Sequence, residues 1–194
     1  MFGYLFRSKA EKQAAQSLYE TIVTQSRLPV FYETYDVEDS LDGRFDMISL
    51  HAVLVMKHLS KGDKKAIKMS QALFDHLFVQ MERALREIGV GDLAIPKHMR
   101  RMMKAFKGRF GAYVMALDAA SEEGLREALR RNLYRHNEDV TDENLEFMQA
   151  YLQTNHDHIV AQDIQTLCQG TVDFKMPAHS KGQKNEKHNA GMAA

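Results

Sequence analysis

Apolar residues recur every three to four positions along most of the chain, and no stretch alternates apolar with polar residues for long enough to mark a strand. The pattern predicts an all-α fold: one helical-bundle-like domain of six to seven helices over residues 1–177. Ser8 followed by Glu11 is a capping-box pattern that opens the first helix, with Ala14, Ala15, Leu18 and Ile22 as its apolar stripe. "RLPVFY" (27–32) ends that helix, because proline disfavours the helical region in the residue before it. A second helix begins near Asp42, a good N-cap, and carries Phe45, Ile48, Ala52, Val55 and Leu59 on one stripe, widened by Met47, Leu50 and Leu54. Apolar over most of its circumference, it reads as the central helix. The third has the cleanest stripe, from Leu73, Phe74, Leu77, Phe78, Met81 and Leu85 to Ile88, and Gly89 is placed to terminate it.

"GVGDLAIP" (89–96) reads as a tight connection in which Asp92 caps the next helix, over 97–110. Gly108 and Gly111 are candidate bends before "AYVMAL". Ser121 opens a helix carrying Leu125, Ala128, Leu129 and Leu133, and Thr141 caps a last one running from Asp142 to Gln169, ended by Gly170. From Ala178 the apolar period is lost, and 178–194 reads as a disordered tail.

Composition narrows the function classes. Lys plus Arg and Asp plus Glu number 26 each, so no whole-molecule field attracts nucleic acid, and only a local patch could. The single cysteine, Cys168, excludes a disulfide framework and a cysteine-based zinc site, and fits a reducing compartment as a small core residue. No apolar run approaches the ~20 residues of a membrane span. "MFGYLFRSK" has neither signal-peptide nor transit-peptide character, so the chain reads as cytoplasmic.

The local patch exists. Residues 97–110 hold Lys97, Arg100, Arg101, Lys104, Lys107 and Arg109 without one carboxylate, and on a helix Met99, Met102, Met103, Phe106 and Phe110 fall on one side with most of the cations opposite. Such a basic amphipathic helix suits an anionic membrane surface or a partner-binding face. The ordinary reading of its apolar side is a core stripe. Phosphates of RNA would also suit the cations, although RNA recognition calls for aromatic stacking platforms, and here only Phe106, Phe110 and Tyr113 could supply them. The polar line Arg44, His51 and His58, spaced by seven along the central helix, has two readings. Arg44 pairs with Asp39 or Asp42 and the histidines sit at the boundary, or the line edges a groove for another chain. His136, His156 and His158 lack the i, i+4 spacing of helical zinc motifs, and no nucleophile elbow, phosphate loop or dinucleotide fingerprint is present. No metal or cofactor is therefore expected, and no catalytic residue.

"RLPVFY", then "DGRFDMISLH", "LFDHLFVQMERALREIGVGD" and "PKHMRRMMKAFKGR", taken in order and spacing, resemble the ubiquinol–cytochrome c chaperone family. Glu82, Lys107 and Gly111 depart from its usual residues. The resemblance implies an all-helical, non-enzymatic assembly factor for ubiquinol–cytochrome c reductase, with newly made cytochrome b as its client at the inner membrane face. The client surface expected on that basis comprises Arg44, Lys97, Arg100, Arg101, Lys104 and Arg109, with Met99, Met102 and Met103 as apolar contacts. "MFGYLF" would add weak contacts to the bilayer, and a ribosome is a further expected partner, DNA not. The alternative is an RNA- or ribosome-binding module built on residues 97–109.

Overall fold

The computed structural model describes residues 8–137 and 139–178. The helices are α1 (Lys9–Ser26), α2 (Pro29–Glu33), α3 (Leu41–Ser60), α4 (Lys64–Glu87), α5 (Ile95–Asp118), α6 (Glu122–Asn132), α7 (Asp142–Val160) and α8 (Ile164–Cys168). Six are long and two are single turns, and no strand occurs among the described residues. "MFGYLF" and all but the first residue of the expected tail lie outside the described residues.

α3 is the axis of the bundle. Every residue from Phe45 to Leu59 is buried, because α1, α4, α5, α7 and α8 all pack against it. Fully burying a Leu or Phe side chain contributes ~1.5–3 kcal/mol, so this helix is the chief source of hydrophobic stabilisation. The helix starts at the N-cap Ser40, whose Oγ accepts from Gly43 N at 3.1 Å, two residues earlier than the expected Asp42. Only glycine fits at position 43: a Cβ there would stand 1.9 Å from the Glu38 carbonyl oxygen.

The capping box of α1 forms as the sequence predicts, with Glu11 N donating to Ser8 Oγ and Ser8 N to Glu11 Oε2. Three other expectations need correction. Asp92 caps nothing; it pairs with Arg86, and α5 opens at Ala94 with Pro96 in its first turn and no side-chain cap. The expected last helix is two, because Asp163 accepts from Gln165 N and starts α8 afresh after Val160. Gly108 and Gly111 interrupt nothing: both lie on the exposed face of a continuous 24-residue α5. Past Gly170 (φ 95°) the chain crosses back over α1 and α7 as a strap, residues 171–178. A Cβ at Gly170 would come within 2.8 Å of Ala14 Cα, so the crossing depends on glycine.

Candidate functional site

α5 turns Ile95, Met99, Phe106, Tyr113, Ala116 and Leu117 into the core. The helical period therefore leaves Lys97, Arg100, Arg101, Lys104 and Lys107 exposed on the opposite face. Among the described residues, four of these cations form no ion pair, and Arg101 reaches only the edge of one, 4.0 Å from Asp42. Met102 and Met103 are half-buried flanks of the same face, and at the N-terminal end Leu93 is 100% exposed. The neutral protein thus concentrates uncompensated positive charge on one helix side.

Two expected members leave this face. Met99 is a core residue, 3% exposed. Arg109, expected with the surface cations, is 7% exposed because its place in the period points it at α3. There Arg109 Nη2 lies 2.6 Å from Asp46 Oδ1, and its guanidinium sits 5.6 Å from the centre of the Phe45 ring. Arg135, from the α6–α7 connection, pairs with the other Asp46 oxygen and reaches Asp42 at 3.3 Å. The contact to Arg109 is charge against charge without an aligned hydrogen bond: Asp46 Oδ1 and Arg109 Nε both lack a hydrogen-bond partner. Burial pushes the Asp46 carboxyl up to about 6, against the downward pull of the Arg109 and Arg135 guanidiniums. The same burial, with the Asp46 charge beside it, pushes the Tyr113 hydroxyl up. This triad binds α3, α5 and the α6–α7 connection together beneath the basic face.

The ubiquinol-cytochrome C chaperone profile matches residues 33–174. The chain belongs to this family. No curated protein sequence matches the chain with significance. Among solved structures, the crystal structure of the Cbp3 homolog from Brucella abortus is similar, at 32% identity and a TM-score of 0.77, covering 90% of this chain and 97% of that one. The chain is accordingly a chaperone-family protein of ubiquinol–cytochrome c reductase assembly, and among its described residues no helix is long and apolar enough to cross a membrane.

The motif residues of this chaperone are mainly structural. Arg44 donates through Nε to Asp39 Oδ1 at 2.6 Å, the ordinary reading of that residue, with over half of both side chains in solvent. The Arg44 hydrogen bond holds the Asp39 carboxyl below its ordinary range. His51 and His58 are not boundary residues: His51 is 0% and His58 8% exposed, because α7 and the strap cover that side of α3. His51 Nδ1–H donates to Met47 O (2.8 Å), and its Nε2 accepts from Tyr151 Oη (2.7 Å), which accepts from Gln25 Nε2 (2.8 Å). Burial pulls the imidazole down to about 4, so it is neutral in this chain of bonds. Lys57, a lone lysine within the apolar central helix, is also buried; its Nζ lies 2.8 Å from Asp118 Oδ1 and donates to His156 Nε2 at 3.0 Å. His158 bonds Asp173 instead, and no group of three or more His, Cys, Asp and Glu residues able to hold a metal ion occurs among the described residues.

Proposed function

We propose that this chain is a non-enzymatic assembly chaperone that binds newly synthesised cytochrome b and works as a peripheral protein at the inner face of the membrane. The observation that supports this reading is the exposed α5 face, with Lys97, Arg100, Arg101, Lys104 and Lys107 beside Met102 and Met103. A client of apolar helices with phosphate-rich surroundings needs both parts. Apolar anchors with a polar rim suit helix-in-groove contacts, methionine adapts to varied surfaces, and each cation near an anionic bilayer contributes ~1 kcal/mol. Arg44 remains a candidate contact at the N-terminal end of α3, since over half of its side chain is exposed.

The test is a crosslinked pull-down from cells with cytochrome b quantified by mass spectrometry, comparing wild type with the Arg101→Glu/Lys104→Glu double variant. Enrichment of cytochrome b over other membrane proteins, lost in the variant, is expected. An RNA- or ribosome-binding role is less well supported, because Phe106 and Tyr113 are buried and Phe110 is half-buried, leaving no free aromatic platform on this face. Ribosomal RNA recovered without cytochrome b would reverse that ranking.

A further inference from the structure

The turn between α4 and α5 is closed by its own bonds. Gly89 (φ 86°) follows the end of α4; Gly89 N donates to Arg86 O (3.0 Å) and Val90 N to Leu85 O (3.0 Å). This pair of bonds is a common way for a glycine to end a helix, and the residues it usually packs inward are those at Leu85 and Val90. Leu85 is buried and Val90 is half-buried against the core. On the other side Ala94 N donates to Gly91 O (2.8 Å), and α5 begins at the buried Ile95. The turn therefore holds its shape without Ile88 or Leu93. Yet Ile88 is 59% and Leu93 100% exposed, and no other exposed large apolar side chain among the described residues stands as far into solvent as Leu93. A Cβ on Gly89 or Gly91 would meet nothing within 4 Å, so the turn projects from the bundle. The acids at this end are matched: Asp92 pairs with Arg86, Glu82 with Arg86 at 3.0 Å and Glu87 with Arg83 at 2.9 Å. The surplus charge is that of Lys97, Arg100 and Arg101, in the first two turns of α5.

We infer that the α4–α5 turn is the part of the protein that enters an anionic lipid surface, with Ile88 and Leu93 at the acyl boundary and Lys97, Arg100 and Arg101 among the headgroups. The inference rests on the reading of this chain as a peripheral membrane protein and names the contact it makes. Apolar side chains dipping below the headgroups, with cations just above them, are the two attractions that hold a protein at such a surface. The dimensions agree. Lys97 to Arg101 stand about 3–9 Å along α5 from Ile95, and the headgroup layer of one leaflet is about 5–7 Å thick. Lys104 and Lys107, about 14 and 18 Å along, stay on the water side and remain open to a client. A protein partner fits the turn less well. A projecting turn offers no groove for a helix and no rim to keep water from Leu93, whereas a bilayer needs no complementary shape.

The probe is vesicles of phosphatidylcholine and phosphatidylglycerol, roughly 2:1, sedimented with the full chain. The Ile88→Ser/Leu93→Ser double variant keeps every charge and changes only exposed side chains. It is expected to bind the vesicles about tenfold more weakly than wild type, with Tm unaltered. A polarity-sensitive nitrobenzoxadiazole dye on Leu93→Cys, with the buried Cys168 left unlabelled, is expected to shift its emission to the blue on the vesicles. The same dye on Ile67→Cys, exposed about 30 Å away at the other end of α4, is expected not to shift. Equal vesicle binding by wild type and the double variant overturns the proposal, since the α5 cations then act alone. A blue shift at residue 67 and not at 93 overturns it too. So does a double variant that keeps vesicle binding but loses cytochrome b from a detergent extract, because the turn then touches the client. Wild type that ignores the vesicles overturns the peripheral reading along with this one, whereas vesicle binding untouched by the two serines overturns this one alone.

Discussion

Arg101 and Arg109 lie on the same helix, two turns apart, and meet opposite fates. Arg101 is exposed, and its nearest carboxylate stands 4.0 Å away. Arg109 is buried against Asp46 at 2.6 Å. Composition treats them alike; the 3.6-residue period separates them, because eight residues carry the chain about 80° past two full turns. The buried one fastens α5 to the central helix, and the exposed ones are then free to face a partner. A charge out of water must be paired to be tolerated, whereas a charge in water costs little and contributes little to stability. Stability and binding should therefore divide between these two sets of arginines and lysines.

The sharpest way to break that division is Arg109→Met, which keeps the bulk of the side chain and removes the charge. Stranding a buried carboxylate costs ~3–5 kcal/mol, and the remaining Arg135 contact should hold the loss near the lower end, about 3 kcal/mol, read as a fall in the urea midpoint. A loss below about 1 kcal/mol would mean that Arg109 is not the fastening, since surface substitutions stay within ~0.5 kcal/mol. The next effect comes from His51, the neutral base buried in the same central helix. Its folded pKa of about 4 lies below the 6.5 of the free side chain. The unfolded chain therefore binds a proton that the native one does not. The contribution is present above pH 6.5 and is lost as pH falls toward 4, by about 3 kcal/mol if fully expressed. Asp46 works in the other direction. Its carboxyl is raised from 3.8 to about 6, so its contribution is present below 3.8 and is lost as pH rises through 6. The difference between wild type and His51→Gln isolates the histidine: the variant is expected to lose the steep fall between pH 6.5 and 4. Parallel pH profiles for the two proteins would show that His51 carries no such charge penalty.

Much of the fold is legible in the sequence, and the reason is local. Helix caps at Ser8, Ser121 and Thr141 are chemistry of four consecutive residues, and the stripes of α3 and α4 are one-dimensional periods. The features that are not legible depend on other elements. Asp163 breaks the last helix because its carboxylate caps a new turn, a signal weaker than the apolar period around it. Asp92 looks like a cap until Arg86, six residues upstream, is seen to claim it. Met99 follows the ordinary reading of its stripe as core, whereas Arg109 is grouped with the surface cations by its charge, although its place in the helical period lies beside the inward Phe106. A carboxylate such as Asp46, or a lysine such as Lys57, inside a helix apolar all round is the signal that points to the internal ion pairs. The strap is invisible in the sequence, since its partners Gln25, Asn155 and Gln162 are ordinary polar residues until the chain folds back on them.

Smaller effects sharpen the other side of the comparison. Gly108 and Gly111 sit mid-helix on the solvent face, and a Cβ at either would meet nothing within 4 Å. Replacing each by alanine is expected to stabilise the protein by ~0.5–1 kcal/mol, the ordinary gain for a glycine in a helix interior, measured as a rise in Tm. A neutral or negative result would mean that α5 needs to flex there. The smallest stability change is expected for Arg101→Glu/Lys104→Glu, within ~0.5 kcal/mol of wild type, since both side chains stand in water. The same variant reverses two of the five exposed charges on the face, and retention on vesicles containing anionic lipid should fall by an order of magnitude or more. The pairing of these two readouts is the test: unchanged stability with lost vesicle binding places function on the exposed set. Lost stability would instead mean that the exposed cations hold α5 in place, and the division between fastening and binding charges would be wrong.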